Sequence, residues 1–143
     1  MKATDEVAVL AGAALGLVAL AHGVEESSLP NIGDMVTGDL SGLDLIFLVV
    51  EGIDFAGHSF VVIFGVCTQM LAQPFAAIEG DSNDGPFITD LLVGLRDRGL
   101  DLSNAICVTG EIEAIDSAVR EVFKDKPPVL AKGLALRLGD EPA

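Results

Sequence analysis

Basic residues are nearly absent from the first two thirds of this 143-residue chain. After Lys2 no Lys or Arg occurs before Arg96, whereas thirteen carboxylates occur in the same stretch, and the whole chain carries a formal net charge of −14. Proteins bind a phosphate backbone through Lys and Arg side chains that displace its counterions. The charge distribution therefore argues against DNA binding by the chain alone.

Tryptophan and tyrosine are absent, and cysteine occurs only twice. The core must therefore be built from aliphatic side chains and seven Phe. Cys67 and Cys107 have neither CxxC nor Cys/His spacing, which indicates buried free thiols and does not suggest a disulfide-stabilised secreted scaffold. The sequence also contains no phosphate-binding loop, dinucleotide-binding glycine motif, nucleophile elbow or zinc-type spacing. These enzyme classes are therefore not indicated.

One long segment, Val7–Val24, is apolar and carries no charged residue apart from His22, which is charged only when protonated. As a helix rising about 1.5 Å per residue it is roughly 27 Å long, slightly short of a bilayer core. Gly12 and Gly16 form a GxxxG pair, which is typical of closely packed membrane helices, and residues 19–21 resemble a signal-peptidase site. Three interpretations remain open: a buried or oligomer-forming helix, a membrane helix and a signal peptide.

The residues that flank this segment favour the first interpretation. Asp5 and Glu6 precede it, and no basic residue follows it before Arg96, whereas flanking Lys and Arg orient membrane helices. Asp5 can cap a helix at its start and Gly23 can end one. We expect the segment to pack against a sheet or against its copy in a second chain, within a cytoplasmic protein.

Beyond a polar connection at residues 25–42, the apolar runs first have the length of strands. Three such runs, Leu43–Val50, Ser59–Cys67 and Ala72–Ile78, are joined by short links. Consecutive strands with short links predict an antiparallel meander.

The apolar pattern then changes to a helical period. It predicts a helix from Pro86 to Gly99, a short strand at Ala105–Val108 and a second helix at Glu111–Phe123, and it leaves Val129–Leu138 as a final strand or a tail. The predicted fold is therefore α/β, with a three-strand antiparallel meander followed by α-β-α and preceded by an extra apolar helix.

Three stretches of the chain resemble the mutator-type prokaryotic transposases. Residues 40–66, LSGLDLIFLVVEGIDFAGHSFVVIFGV, are similar to that family's LDLVVLMIDGVHFGEHCVVVALGV; residues 78–84 and 91–101, IEGDSND and LLVGLRDRGLD, are similar to its WEGSTEN and LLxDLxERGLD; residues 106–123, ICVTGEIEAIDSAVREVF, are similar to its LVVIDGAKALRKAVREVF. The resemblance covers residues 27–132 without a gap. It implies a ribonuclease-H-like domain at residues 27–143, in truncated form, with residues 1–26 as an added N-terminal helix.

The resemblance also implies a chemistry. The family cuts and rejoins DNA with a carboxylate triad that holds divalent metal ions, Mg²⁺ or Mn²⁺, which activate a water or a 3′-hydroxyl and stabilise the leaving oxygen. The first family aspartate corresponds to Glu51, and the second corresponds to Gly110, which has no side chain. The third family carboxylate lies beyond residue 143, and the Cys-x-x-His positions correspond to Lys132 and Ala135. Only one carboxylate of the triad is therefore expected.

Two weaker arrangements could supply further metal ligands. Glu111 directly follows Gly110, so a local shift of one residue would place a second carboxylate beside Glu51. Asp54 and His58 lie near Glu51 in the sequence and could complete a loose Glu/Asp/His cation site. The alternative for each acid is a solvated carboxylate at the end of an element.

We therefore expect a transposase-like domain that is inactive as it stands, needs no cofactor and serves as a folded acidic or homo-oligomeric module. Two alternatives remain. One is a residual metal-dependent DNA nuclease or transposase fragment that uses Glu51 and Glu111 with Mg²⁺ or Mn²⁺. The other is a membrane-associated or structural oligomer organised by Val7–Val24.

Overall fold

A mixed five-stranded sheet lies between one helix on one face and two helices on the other. The computed structural model describes residues 2–24, 36, 38–68, 72–110 and 112–131, with side chains from Glu6 onward. The elements in chain order are α1 (Lys2–Ala21), β1 (Leu45–Phe55), β2 (His58–Cys67), β3 (Ala72–Glu79), α2 (Gly85–Asp97), β4 (Ile106–Val108), α3 (Glu113–Val122) and β5 (Val129–Ala131). The predicted boundary between residues 26 and 27, and the predicted strand residues after Ala131, lie outside the described residues.

The sheet combines an antiparallel meander with two parallel strands. β1 pairs antiparallel with β2, and β2 pairs antiparallel with β3. β4 lies parallel to β1, and β5 lies parallel to β4. The spatial order is β3-β2-β1-β4-β5. The prediction of an α/β fold that begins with a three-strand meander and continues with helix, strand and helix is confirmed, and β5 adds the last strand.

Strand β1 is longer than predicted. We expected it to end near Glu51 because Gly52 follows, but the strand continues and turns into β2 through Ala56 and Gly57, whose φ angles are 54° and 82°. Positive φ at both central residues is the geometry of a type I′ hairpin. Gly52 lies inside the strand, paired with Val61 of β2, and a β-carbon there would collide with the side chain of Ser82. The glycine marks a close approach and not a strand end, so Glu51 is an interior strand residue.

Two amphipathic helices cover one face of the sheet. α2 begins after Asp84, whose Oδ1 accepts a hydrogen bond from the backbone N–H of Phe87 at 3.3 Å, and Pro86 lies in the first turn. Apolar side chains at helical spacing on α2 and α3 are buried against the sheet: Ile88, Leu92, Leu95, Ile115, Ala118, Val119 and Val122. The periodicity therefore located both helices, although α3 begins at Glu113 and not at Glu111.

Helix α1 covers the opposite face. Small and aliphatic side chains of α1 pack on alternate residues of β1 and β2: Ala11, Ala14, Leu15, Val18 and Ala19 on Phe47, Val49, Phe60, Val62 and Phe64. The helix therefore packs against the sheet, as the first of the three interpretations expected. Its outward side leaves Val9, Leu17 and Leu20 exposed at 71%, 42% and 46%. In the part of the chain that the structure describes, no helix has both the length and the apolar character needed to cross a membrane.

Candidate functional site

Glu51 projects from the middle of β1 onto the face that α1 covers. It pairs with Val62 of β2 in the antiparallel register. Side chains alternate between the two faces of a strand, and Val49 and Ile53, on the same side of β1 as Glu51, belong to the core beneath α1. The Glu51 side chain is 28% exposed. A carboxylate therefore lies at the border of an apolar layer, where it needs a polar partner.

Gly110 follows β4 and lies beside Glu51. β4 runs parallel to β1 with Val108 opposite Val49. Two positions further along each strand direction, Gly110 therefore comes opposite Glu51. A β-carbon on Gly110 would lie 3.7 Å from the carboxyl carbon of Glu51 and 3.9 Å from its Oε1. The two positions that the resemblance aligns with family carboxylates, Glu51 and Gly110, therefore lie side by side.

The turn that carries Gly110 is held in place by its neighbours. The buried Thr109 donates a hydrogen bond from its hydroxyl to Oδ1 of Asp116 on α3, and its backbone N–H donates to the carbonyl of Ala131 at 3.2 Å. Gly110 has a φ of 66°, which is a left-handed conformation that glycine adopts at low cost. These contacts fix the position of Gly110 relative to Glu51.

The polar partner of Glu51 is His22, which directly follows α1. Nε2 of His22 lies 2.5 Å from Oε1 of Glu51, and the His22 side chain is only 10% exposed. The chain turns at Gly23, whose φ is 89°, and the backbone N–H of Val24 donates to the carbonyl of Ala19 at 3.0 Å. This helix end directs His22 towards the sheet. No sequence pattern links His22 with Glu51, because the contact depends on how α1 crosses the sheet.

The predicted Glu/Asp/His cation site is not assembled. Asp54 lies on the other side of β1 from Glu51, because the two are separated by an odd number of positions, and its Oδ1 accepts a hydrogen bond from the hydroxyl of Ser59 at 2.7 Å. Nδ1 of His58 lies 2.6 Å from Oε2 of Glu79 on β3. Within the described residues, no group of three or more His, Cys, Asp or Glu side chains is placed to hold a metal ion.

Glu111, the other predicted partner of Glu51, lies outside the described residues. The flanking residues Gly110 and Ile112 are described, and the backbone N–H of Ile112 donates to the carbonyl of Thr109 at 3.3 Å. The prediction that Glu111 replaces the missing carboxylate therefore stays a prediction.

The two cysteines differ in burial. Cys107 of β4 is a buried free thiol, as predicted, and burial together with the negative charge of Asp116 raises its pKa to about 12. Cys67 is free and only partly buried, and burial and the charge of Asp44 raise its pKa as well. The thiolate is the reactive form of cysteine. Both thiols are therefore poor nucleophiles at neutral pH.

A polar cavity of about 310 Å³ lies near the β1–β2 hairpin, away from the Glu51–Gly110 pair. Its polar lining consists of Asp54, Ser59, Asp81, Ser82 and Asn83. Several of these groups already bond to one another, since Asp54 accepts from Ser59 and Asp81 accepts from the backbone N–H of Asn83 at 2.9 Å. Four of the five polar side chains that line the cavity are therefore hydrogen-bonded within it.

The described residues at the Glu51–Gly110 pair do not fit a pair of catalytic metal ions. Two-metal chemistry needs carboxylates that converge on both ions. Here Gly110 has no side chain, and the carboxylate of Glu51 is bonded to His22.

No protein-family model matches the chain, and no curated protein matches it.

Proposed function

We propose that the chain is a ribonuclease-H-like domain related to the mutator-type transposases, that it does not catalyse DNA transposition, and that it acts as a folded acidic module. The meander followed by helix, strand, helix and strand is the organisation of that fold. The observation that carries the proposal is the distance of 3.7 Å between a β-carbon placed on Gly110 and the carboxyl carbon of Glu51. The resemblance aligned these two positions with family carboxylates, and such carboxylates must lie together to share metal ions.

The loss of catalysis follows from the side chains at this pair. One converging carboxylate cannot bridge two metal ions that stabilise both the attacking and the leaving oxygen of a phosphodiester. The net charge of −14 also repels a DNA backbone. The same negative charge favours a partner with a cationic surface. Self-association through Val7–Val24 is a separate prediction, which sedimentation analysis can test.

A nuclease assay tests whether the chain is inactive. We expect the pure protein neither to nick supercoiled DNA nor to bind duplex DNA at physiological salt, with Mg²⁺ or Mn²⁺ present. Metal-dependent nicking that disappears in Glu51→Gln would contradict the proposal and favour the nuclease alternative.

Restoring the second carboxylate tests the family assignment. Gly110→Asp places an acid beside Glu51, and Gly110→Asn is the matched control, since Asp and Asn tolerate positive φ equally well. Among the described residues other than its chain neighbours, the atom closest to the added β-carbon is the carboxyl carbon of Glu51 at 3.7 Å. We expect Gly110→Asp to bind Mn²⁺, measured by electron paramagnetic resonance, and the binding to vanish when Glu51→Gln is added. Equal Mn²⁺ binding by the Asp and Asn variants, both with and without His22→Ala, would contradict the proposal.

A further inference from the structure

The hydrogen bond between His22 and Glu51 joins the end of α1 to strand β1. We infer that His22 takes the place of a metal ion at the surviving carboxylate, so that α1 works as a built-in plug over the Glu51–Gly110 pair. This inference rests on the proposed function. It adds that the chain blocks its own carboxylate in addition to lacking the second one.

The burial of His22 and Glu51 supports the idea that His22 substitutes for a cation at the Glu51 carboxylate. Glu51 lies at the edge of the apolar layer formed by α1, β1 and β2, and an ionised carboxylate there is costly unless a donor or a cation satisfies it. The residues two positions either side of Glu51 on β1 and the residue opposite it on β2 are apolar, namely Val49, Ile53 and Val62. The N–H of His22 supplies the missing donor at 2.5 Å.

The packed end of α1 holds the His22 side chain in place beside Glu51. Val18 and Ala19 are buried against the sheet, and the carbonyls of both accept from the backbone N–H of His22 at 3.1 Å. The imidazole is therefore held by a helix end that is itself packed on the sheet. A cation can reach the occupied oxygen of Glu51 only after this hydrogen bond breaks.

Manganese binding in a restored site tests the plug. Gly110→Asp serves as the parent, and His22→Ala is added to it. We expect the double variant to bind Mn²⁺ about tenfold more tightly than the parent, because the cation no longer competes with a hydrogen bond to a charged group. His22→Gln is the matched control, since its amide N–H can still donate to Glu51, and we expect it to bind Mn²⁺ nearly as weakly as the parent.

The Mn²⁺ titration distinguishes failure of the inference about His22 from failure of the proposed function. Unchanged or weaker Mn²⁺ binding after His22→Ala would overturn the inference, because His22 would then be a bystander or a metal ligand. Such a result would leave the proposed function intact as long as Gly110→Asp still exceeds Gly110→Asn. Absence of binding in every Asp variant would instead remove the proposed function itself.

A double-mutant cycle keeps the inference testable if the restored site is unstable. His22→Ala and Glu51→Gln are made singly and together in the natural chain, and melting temperatures are measured. We expect each single variant to melt at a lower temperature and the double variant to melt no lower than the worse single variant, because both remove the same contact. Additive losses would show that His22 and Glu51 act separately and would overturn the inference.

Discussion

The two faces of the sheet are covered in different ways. On one face α2 and α3 bury a row of large aliphatic residues and turn charged residues such as Asp90 and Glu113 to the solvent. On the other face α1 buries mainly small residues and leaves Leu17 and Leu20 partly exposed. The first face is a conventional amphipathic interface. The second is covered by a helix that also leaves apolar side chains exposed, and His22, which directly follows this helix, is bonded to Glu51.

This difference means that the packing of the fold and the position of Glu51 depend on each other only on the face that α1 covers. The face beneath α2 and α3 is closed by large apolar surfaces. The face beneath α1 contains Glu51, and its cover is held by smaller contacts together with the His22 hydrogen bond. We therefore expect changes on the two faces to have unequal consequences.

Removal of α1 should have the largest effect. Deleting residues 1–24 uncovers Phe47, Phe60 and Phe64, each of which is buried beneath α1, and burial of such a side chain is worth about 1.5–3 kcal/mol. We expect aggregation or loss of cooperative unfolding, measured by size-exclusion chromatography and thermal denaturation. A truncated protein that stays monomeric and melts at the same temperature would show that α1 is dispensable to the fold.

Truncation of one buried leucine on each side compares the faces directly. Leu92 of α2 and Leu15 of α1 are both fully buried. We expect Leu92→Ala to lower the free energy of unfolding by about 2–5 kcal/mol, and Leu15→Ala to lie at the lower end of that range, because a cavity costs less where the surroundings can collapse. Urea titrations of both variants measure the difference. A larger loss for Leu15→Ala would reverse the comparison.

Alkaline pH should weaken the α2 and α3 face through Cys107. The pKa of this thiol is raised from its ordinary value of 9.0 to about 12, so its contribution to stability is complete below pH 9.0 and is lost as the pH rises towards about 12, since the unfolded chain loses the proton first. We expect the free energy of unfolding to fall less steeply above pH 9.0 in Cys107→Ala than in the natural chain. Cys67→Ala, the control at a partly buried thiol, should behave nearly like the natural chain. Identical slopes for Cys107→Ala and the natural chain would contradict this.

The outward side of α1 should give the smallest effect. Leu20→Gln and Leu17→Gln change residues that are 46% and 42% exposed, and exposed substitutions generally alter stability by less than about 0.5 kcal/mol. Both variants should therefore unfold at nearly the urea concentration of the natural chain. A loss as large as that of Leu15→Ala would indicate that a second copy covers this side of the helix.

Much of the fold could be predicted because its signals are local. The strand runs around Val50, Phe64 and Phe75 and the helical spacing of Ile88, Leu92 and Leu95 depend on residues a few positions apart, and the structure places these elements close to their predicted bounds. The end of β1 could not be predicted in this way. Gly52 looks like a strand terminator in the sequence, but it pairs with Val61 of β2, and the structure shows that a β-carbon there would collide with Ser82.

The candidate site could be predicted only in part. The resemblance aligned Glu51 and Gly110 with two family carboxylates, but their approach depends on the parallel pairing of β4 with β1. The structure does not bring Glu51, Asp54 and His58 together: Asp54 lies on the other side of β1, and His58 at the start of β2 is hydrogen-bonded to Glu79. The prediction for Glu111 stays open.

Composition, charge and periodicity thus sufficed for the α/β class and for most element positions, since each depends on residue type or on short-range spacing. The expectation that one carboxylate remains came from the family resemblance alone. Tertiary structure alone decided which side of α1 is buried, because a segment that is apolar on all sides contains no signal for its orientation. It also decided the partner of Glu51. His22 and Glu51 come together only when α1 packs across the sheet, since a contact between distant residues is created by the burial of the surfaces around it.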